Sequence, residues 1–199
     1  MKVLLAVVGD LGTCSLGFAV SMLRLQATLQ NSPVAIHAMM ETVPSVRAAI
    51  DVAHKDPEIK ALVAIRSTLS FPVGFVLNAL SSGKPFTAGV YPLPKIDWER
   101  VKAKVGSNES PAFRGNVYNV DPSKAKSVSK GVMEVTDIEP GAVVLTREAL
   151  DVVHAKAPKT DEDVPSAWGR VIHADLDQQC ANFGPAEFFG CVGMRTVLR

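Results

Sequence analysis

The sequence predicts an α/β fold with a mainly parallel sheet and helices on both faces, and three observations predict it. Aliphatic runs such as Lys2–Val8 and Ala61–Ile65 lack polar alternation, as expected of strands covered on both sides. Between these runs lie stretches with apolar residues at helical spacing, opened by Ser or Pro. Strand and helix signals alternate over the first ninety residues, which implies right-handed crossovers between parallel strands.

Taken in order, Lys2–Val8 reads as strand one, followed by the loop GDLGTCS. Ser15 is placed to cap a helix running to about Gln30, with Leu16, Ala19, Val20, Leu23 and Ala27 on the predicted inward face. Residues 33–38 read as strand two. Pro44 and Ser45 open a helix with Val46, Ala49, Ile50 and Ala53 inward, which ends before Pro57. Ala61–Ile65 is strand three. Pro72–Ser81 is a helix with Val73, Val76, Leu77 and Leu80 inward, and Phe86–Val90 is strand four.

Residues 92–130 are rich in Pro, Ser, Lys, Gly and Asn and read as a loop-rich excursion. Val132–Val135 and Ala142–Leu145 are strand-like and suggest a hairpin. Thr146 is placed to cap a short helix to His154, residues 155–170 read as loop, and Val171–Ala174 as a further strand. The expected organisation is an α/β domain over residues 1–154. Residues 155–199 would form a C-terminal extension packed on that domain or on a partner.

The 199 residues carry a net charge of +1, which gives the chain no bias toward nucleic acid. The excess of eight Lys/Arg over four acids between Lys95 and Lys130 reads as a solvated loop. Three cysteines at unrelated spacings form neither a zinc motif nor a disulfide framework, which points to a reducing, cytoplasmic setting. MKVLLAVVGD lacks a signal-peptide cleavage pattern, and the apolar stretch Leu16–Leu29 is too short and too interrupted to span a bilayer. A soluble chain is expected.

Ligands of such sheets bind beyond the carboxyl ends of the strands. The candidate walls are therefore the loops Gly9–Cys14, Met39–Thr42, Arg66–Ser70 and Tyr91–Lys95. GDLGTCS has neither the spacing of a dinucleotide-binding loop nor that of a phosphate loop. No GxSxG elbow occurs. Cys14 precedes a helix but reads as a buried or half-buried structural thiol. HADLD, with His173, Asp175 and Asp177, offers cation ligands without a second cluster. YPLPKIDW is the most distinctive string. Its Tyr91, Lys95 and Trp98 suit either stacking on a base or sugar beside a phosphate, or a small satellite core.

At that string the chain resembles nucleotide-sugar glycosyltransferases of the GT-A fold, especially the small ones encoded by phages, giant viruses and bacteria. AGVYPLPKIDWERV is nearly the full family pattern. SLGFAVSMLRLQ, PSVRAAI, GVMEV and GAVVLTREALDVV resemble its other segments, so the similarity covers most of residues 1–153. The resemblance implies a Rossmann-like GT-A-type sheet and a nucleotide-diphosphate sugar as donor. Its implied binding residues are Gly9, Asp10, Thr13, Arg47, Arg66, Thr68, Tyr91, Lys95 and Trp98. IRSTLSF stands where the family carries an acidic pair that holds Mn²⁺ or Mg²⁺, with Arg66 and Thr68 in place of the two carboxylates. Neither side chain ligates a hard cation as a carboxylate does, so no metal cofactor is expected. PAEFFGCVGMR echoes a late acidic segment and offers Glu187 as its one catalytic candidate.

The resemblance leaves two kinds of protein open. One is a degenerate glycosyltransferase-like protein, non-catalytic or transferring without metal through Arg66, with a nucleotide sugar or glycan as ligand. The other is a structural or interaction protein that reuses the fold, such as a virion component, with protein partners or a homo-oligomer.

Overall fold

A computed structural model of the chain describes residues 1–9, 13–31, 36–106, 115–129 and 131–182. The main sheet has eight strands. In chain order they are β1 (Lys2–Val8), β2 (His37–Val43), β3 (Ile59–Arg66), β5 (Phe86–Gly89), β8 (Ser127–Ser129), β9 (Val132–Val135), β10 (Ala142–Thr146) and β11 (Ile172–Asp175). They lie side by side as β2-β1-β3-β10-β5-β11-β9-β8. β1 runs parallel to β2 and β3, and β11 runs parallel to β5. β10 is antiparallel to both its neighbours, and β9 to both of its own. The chain forms the expected α/β sheet, in which six of the eight strands point the same way, but it is mixed because β10 and β9 run in the opposite direction.

The aliphatic runs are buried on both faces because each face has its own core. Leu4, Ala6 and Val8 of β1 and Leu62 and Ala64 of β3 point to one side. There they meet α2 (Val46–Lys55) and α5 (Arg147–Ala155), with Trp168 of α6 (Asp163–Trp168) in the same core. Val3, Leu5, Ala61, Val63 and Ile65 point to the other side, toward α1 (Leu16–Gln30) and α3 (Val73–Ser81). α2 buries Val46, Ala49, Ile50 and Ala53, the face its spacing predicts.

Several sequence expectations need correction. β2 spans His37–Val43 and so extends through Met39–Thr42, which makes that candidate loop strand, while residues 33–35 of the expected strand lie outside the described residues. Its register is set by β1, from Lys2 opposite His37 to Val8 opposite Val43. As an edge strand it leaves all but Val43 exposed, so it lacks the apolar run expected of a covered strand. α1 buries Phe18, Ser21 and Leu25, whereas Leu16 and Leu23 are exposed. This helix is apolar on more than one side, and specific contacts choose the face. Phe18 meets Phe71 edge-on at 6.0 Å, and the Phe71 amide donates to Ser21 Oγ at 3.0 Å. α3 likewise turns Phe75, Val76 and Ala79 inward, with Leu77 only half-buried.

β9 and β10 form no hairpin, since β5 and β11 lie between them. The span 155–170, expected as loop, contains α6, whose Val164, Pro165, Ala167 and Trp168 are buried. β11 then enters the main sheet between β5 and β9. The excursion after β5 carries a small sheet of β6 (Pro92–Ile96) and β7 (Asn116–Tyr118), with α4 (Trp98–Ala103) between them. A second two-stranded sheet joins β4 (Leu69–Ser70) to β12 (Ala181–Asn182).

Candidate functional site

The carboxyl ends of β1, β3, β5 and β11 lie along one rim of the sheet. Because β10 runs the opposite way, the residues that precede it reach the same rim. This places Glu139 beside Arg66. The guanidinium Nη1 lies 2.6 Å from Glu139 Oε1, and the two side chains are 30% and 35% exposed. The Arg66 amide donates to the Gly141 carbonyl at 2.8 Å, which fixes the two segments together. Arg66 holds its proton even more firmly than an ordinary guanidinium. Burial works against the charge, but Tyr91 and Glu139, with a smaller contribution from Asp161, together outweigh it.

Tyr91 lies behind this pair and is buried, so it has no face free to stack on a sugar or base. Its hydroxyl donates to the Glu139 carbonyl at 3.1 Å, and its amide donates to Asn119 Oδ1 at 2.9 Å. Asn119 also donates through Nδ2 to the carbonyls of Gly89 and Glu139, at 3.0 and 3.1 Å. Burial pushes the phenol well above its ordinary range, which keeps it neutral. A Cβ on Gly141 would collide with the Tyr91 hydroxyl, so glycine is needed there for close approach. This rim is stiff and internally hydrogen-bonded.

The neighbouring loops are tied in as well. Gly9, at φ 152°, sits in backbone space that favours glycine, and its amide donates to the Val43 carbonyl at 3.0 Å. Ser67 is buried. Its amide donates to the Val8 carbonyl at 2.8 Å, and its carbonyl accepts from the Ser15 amide at 2.9 Å. Thr68 is exposed. Arg66, Ser67 and Thr68 thus point a guanidinium, a buried hydroxyl and a solvated hydroxyl where the family resemblance implies carboxylates. This donor set does not fit a divalent cation.

The other predicted binding residues are distributed elsewhere. Thr13 is exposed and lines a groove beside α1. Arg47 lies 3.8 Å from Asp51 and lines a separate cavity of about 280 Å³ with His154 and Lys159. The amides of Val46 and Arg47 are taken by Asp161 Oδ2 and Oδ1 at 3.1 and 3.0 Å, so a side-chain carboxylate already fills the anion position at the start of α2. Lys95 on β6 and Trp98 at the start of α4 are exposed. Among the described residues no hydrogen bond, ion pair or ring contact links either to Arg66. Asp10 and Glu187 lie outside the described residues.

Of the nine binding residues, the fold brings together Arg66 and Tyr91, with Gly9 on the adjoining loop. Glu139, Asn119 and Asp161 are the partners that sequence reasoning missed. Glu139 precedes a strand whose antiparallel insertion beside β3 is not encoded in any local pattern, and Asn119 sits in the featureless excursion.

Cys14 is exposed rather than structural and buried, because it precedes the helix on the solvent side of the loop. Cys180 is buried, and desolvation pushes its thiol up to about 12, so it is no nucleophile. In HADLD, Asp175 spends Oδ1 on the amides of Asp177 and Gln178, both at 3.0 Å, while His173 faces Glu134 at 3.8 Å. Among the described residues, no three His, Cys, Asp or Glu side chains are grouped to hold a metal ion. No described helix is long and apolar enough to cross a membrane.

No protein-family model matches the chain, and no curated protein matches it. Solved structures do match in fold. A197 from STIV superposes with a TM-score of 0.55 at 15% identity, over 92% of this chain and 86% of that one. A UDP-glucose pyrophosphorylase complexed with UDP-glucose superposes with a TM-score of 0.52 at 10% identity, over 94% of both chains. At these identities the likeness establishes a shared α/β fold and nothing finer.

Proposed function

We propose that the protein is a glycosyltransferase-like scaffold whose metal-dependent transfer chemistry is gone, and that it works by binding rather than by turnover. The observation that carries this reading is the Arg66–Glu139 pair at 2.6 Å. A cation intended for a diphosphate would face solvent, ready to make bidentate bonds to phosphate oxygens. Here it is already neutralised by an internal carboxylate, and the Arg66 main chain is tied to the segment before β10 through the Gly141 carbonyl. The aromatic nearest to it, Tyr91, is buried. Arg47, which could have assisted, lines another cavity. Among the described residues, Glu139 is the acid bonded to Arg66, and that pairing leaves it no free carboxylate edge to act as a general base.

A second reading is a metal-independent transferase in which Arg66 supplies the missing positive charge. The favouring observation is that the Arg66 side chain keeps 30% of its surface exposed, which leaves one edge of the fork within reach of a ligand. In that case the donor would have to displace Glu139.

Thermal-shift titration with UDP, GDP, CDP and UDP-sugars, with and without Mn²⁺, separates the two when run on the native chain, Arg66→Ala and Glu139→Gln. The scaffold reading expects no Mn²⁺-dependent shift and no donor hydrolysis in any of them. A metal-independent shift that grows in Glu139→Gln and vanishes in Arg66→Ala would establish the second reading instead.

A further inference from the structure

We propose that β2 is a dimerisation edge, which pairs antiparallel with β2 of a second copy of this chain in a register centred on Met39. The hydrogen bonds at its two ends fix which main-chain groups face outward. The His37 amide donates to the Met1 carbonyl at 2.9 Å, and the Val43 carbonyl accepts from the Gly9 amide at 3.0 Å. Successive residues of a strand turn alternately toward one neighbour and the other. His37, Met39, Glu41 and Val43 therefore turn their main-chain groups to β1. Ala38, Met40 and Thr42 turn theirs the other way, where no strand among the described residues meets them.

This edge is built to be covered. Strand edges that stay in water are blunted by Lys, Pro or a bulge. β2, with the sequence HAMMETV, has neither residue, and it keeps an unbroken register with β1 from His37 to Val43. Its Met39 and Met40 are 45% and 69% exposed. Of the nine large apolar side chains exposed among the described residues, six lie on β2, on α1 or just before β1: Met1, Leu16, Val20, Leu23, Met39 and Met40. Apolar surface concentrated in this way marks a contact region.

Charge selects the register and, with it, the partner. Centred on Glu41, a twofold pair would oppose two carboxylates, which is unfavourable. Centred on Met40, it would set Glu41 against Met39 and His37 against the buried Val43. Centred on Met39, it sets His37 of each copy opposite Glu41 of the other, so that an imidazole can donate to a carboxylate twice. These are non-hydrogen-bonded positions, where side chains approach most closely. On the same face Met39 meets Met39 across the axis. On the other face the long Met40 lies against the small Ala38, in a pair that exchanges both main-chain hydrogen bonds. The strand is complementary to itself, as a twofold interface requires, so a second copy is the occupant.

Sedimentation velocity of the full chain over a concentration series is expected to show a monomer–dimer equilibrium. Met40→Pro removes an amide that the sheet does not use, so it should abolish the dimer while the circular dichroism spectrum is unchanged. His37→Glu should weaken the dimer about tenfold, since two like-charged pairs replace two attractive ones. The exchange variant His37→Glu/Glu41→His should restore it. With Cys14 and Cys191 replaced by serine, oxidation of Met39→Cys should give a disulfide-linked dimer, and Met40→Cys should give little, because only position 39 faces its own copy. A monomer at every concentration would overturn the proposal, as would a dimer that Met40→Pro or His37→Glu leaves intact. Failure of the exchange variant to restore the dimer, or preferential cross-linking at position 40, would overturn the register.

Discussion

A guanidinium half-buried at a strand end requires a counter-charge within hydrogen-bonding reach, and Glu139 supplies it to Arg66. Exposed pairs contribute little, and breaking fully buried ones is costly, so this intermediate pair is expected to show a coupling of about 1 kcal/mol in a double-mutant cycle. Arg66→Ala, Glu139→Ala and the double variant, compared by urea unfolding, give that number directly. Coupling indistinguishable from zero would mean that the pair is a surface convenience.

His173 allows a test through pH. Burial, reinforced by Lys84, holds its imidazole below the ordinary value of 6.5. As pH falls through that range the unfolded chain takes up the proton first, which favours unfolding. His173 therefore causes stability to decline as pH drops from about 6.5 toward its lower native value, and the effect levels off below that. In His173→Gln this part of the slope is expected to disappear, measured as the urea midpoint across a pH series.

At the scale of elements, α2 illustrates how distant parts of the chain meet. Ser45 Oγ accepts from the Ala48 amide at 3.0 Å, a local cap that its Pro-Ser start already suggests. Asp161, more than a hundred residues later, accepts from the two preceding amides, those of Val46 and Arg47, and adds a negative charge at the positive end of the helix. Asp161→Ala is expected to lower stability by about 1–2 kcal/mol. Asp161→Asn should recover only part of that, because its single oxygen can accept from one of the two amides while its NH2 faces the other N–H. Equal losses in both would mean that one remaining acceptor without the charge contributes nothing measurable at this helix start.

The same contrast explains which elements were legible in the sequence. β1, α2, β3 and β5 could be read because their apolar spacing leaves one arrangement that buries it. α1 could not be oriented, because Leu16, Val20 and Leu23 repeat at the same period as Phe18 and Leu25, and only the Phe18–Phe71 and Ser21–Phe71 contacts decide between them. The second strand was expected but ended too early, at residue 38 rather than Val43, because an edge strand carries no continuous apolar run. At the rim, Arg66 was legible as an oddity of one local string. Its partner Glu139 was not, since a contact between positions 73 residues apart follows from strand order rather than from spacing.

For the whole molecule, the strand order makes a further prediction about where the chain can be divided. The sequence suggests a domain that ends at residue 154, yet β11 is built from residues 172–175 and lies between β5 and β9. A chain stopped at 154 would expose the edge of β5 to water and strip β9 and β8 of the strand that ties them to the sheet. Phe86, fully buried, would lose Trp168, whose ring lies 6.4 Å away. It would also lose Ile172 and Ala174 from the core on that face. Removing one large aromatic from a core typically costs about 3–5 kcal/mol, a large fraction of the roughly 5–15 kcal/mol that stabilises a domain. Residues 1–154 expressed alone are therefore expected to show no cooperative thermal transition and to aggregate through the open β5 edge. A sharp transition from that fragment, with native-like circular dichroism, would mean that the first 154 residues form a self-sufficient unit.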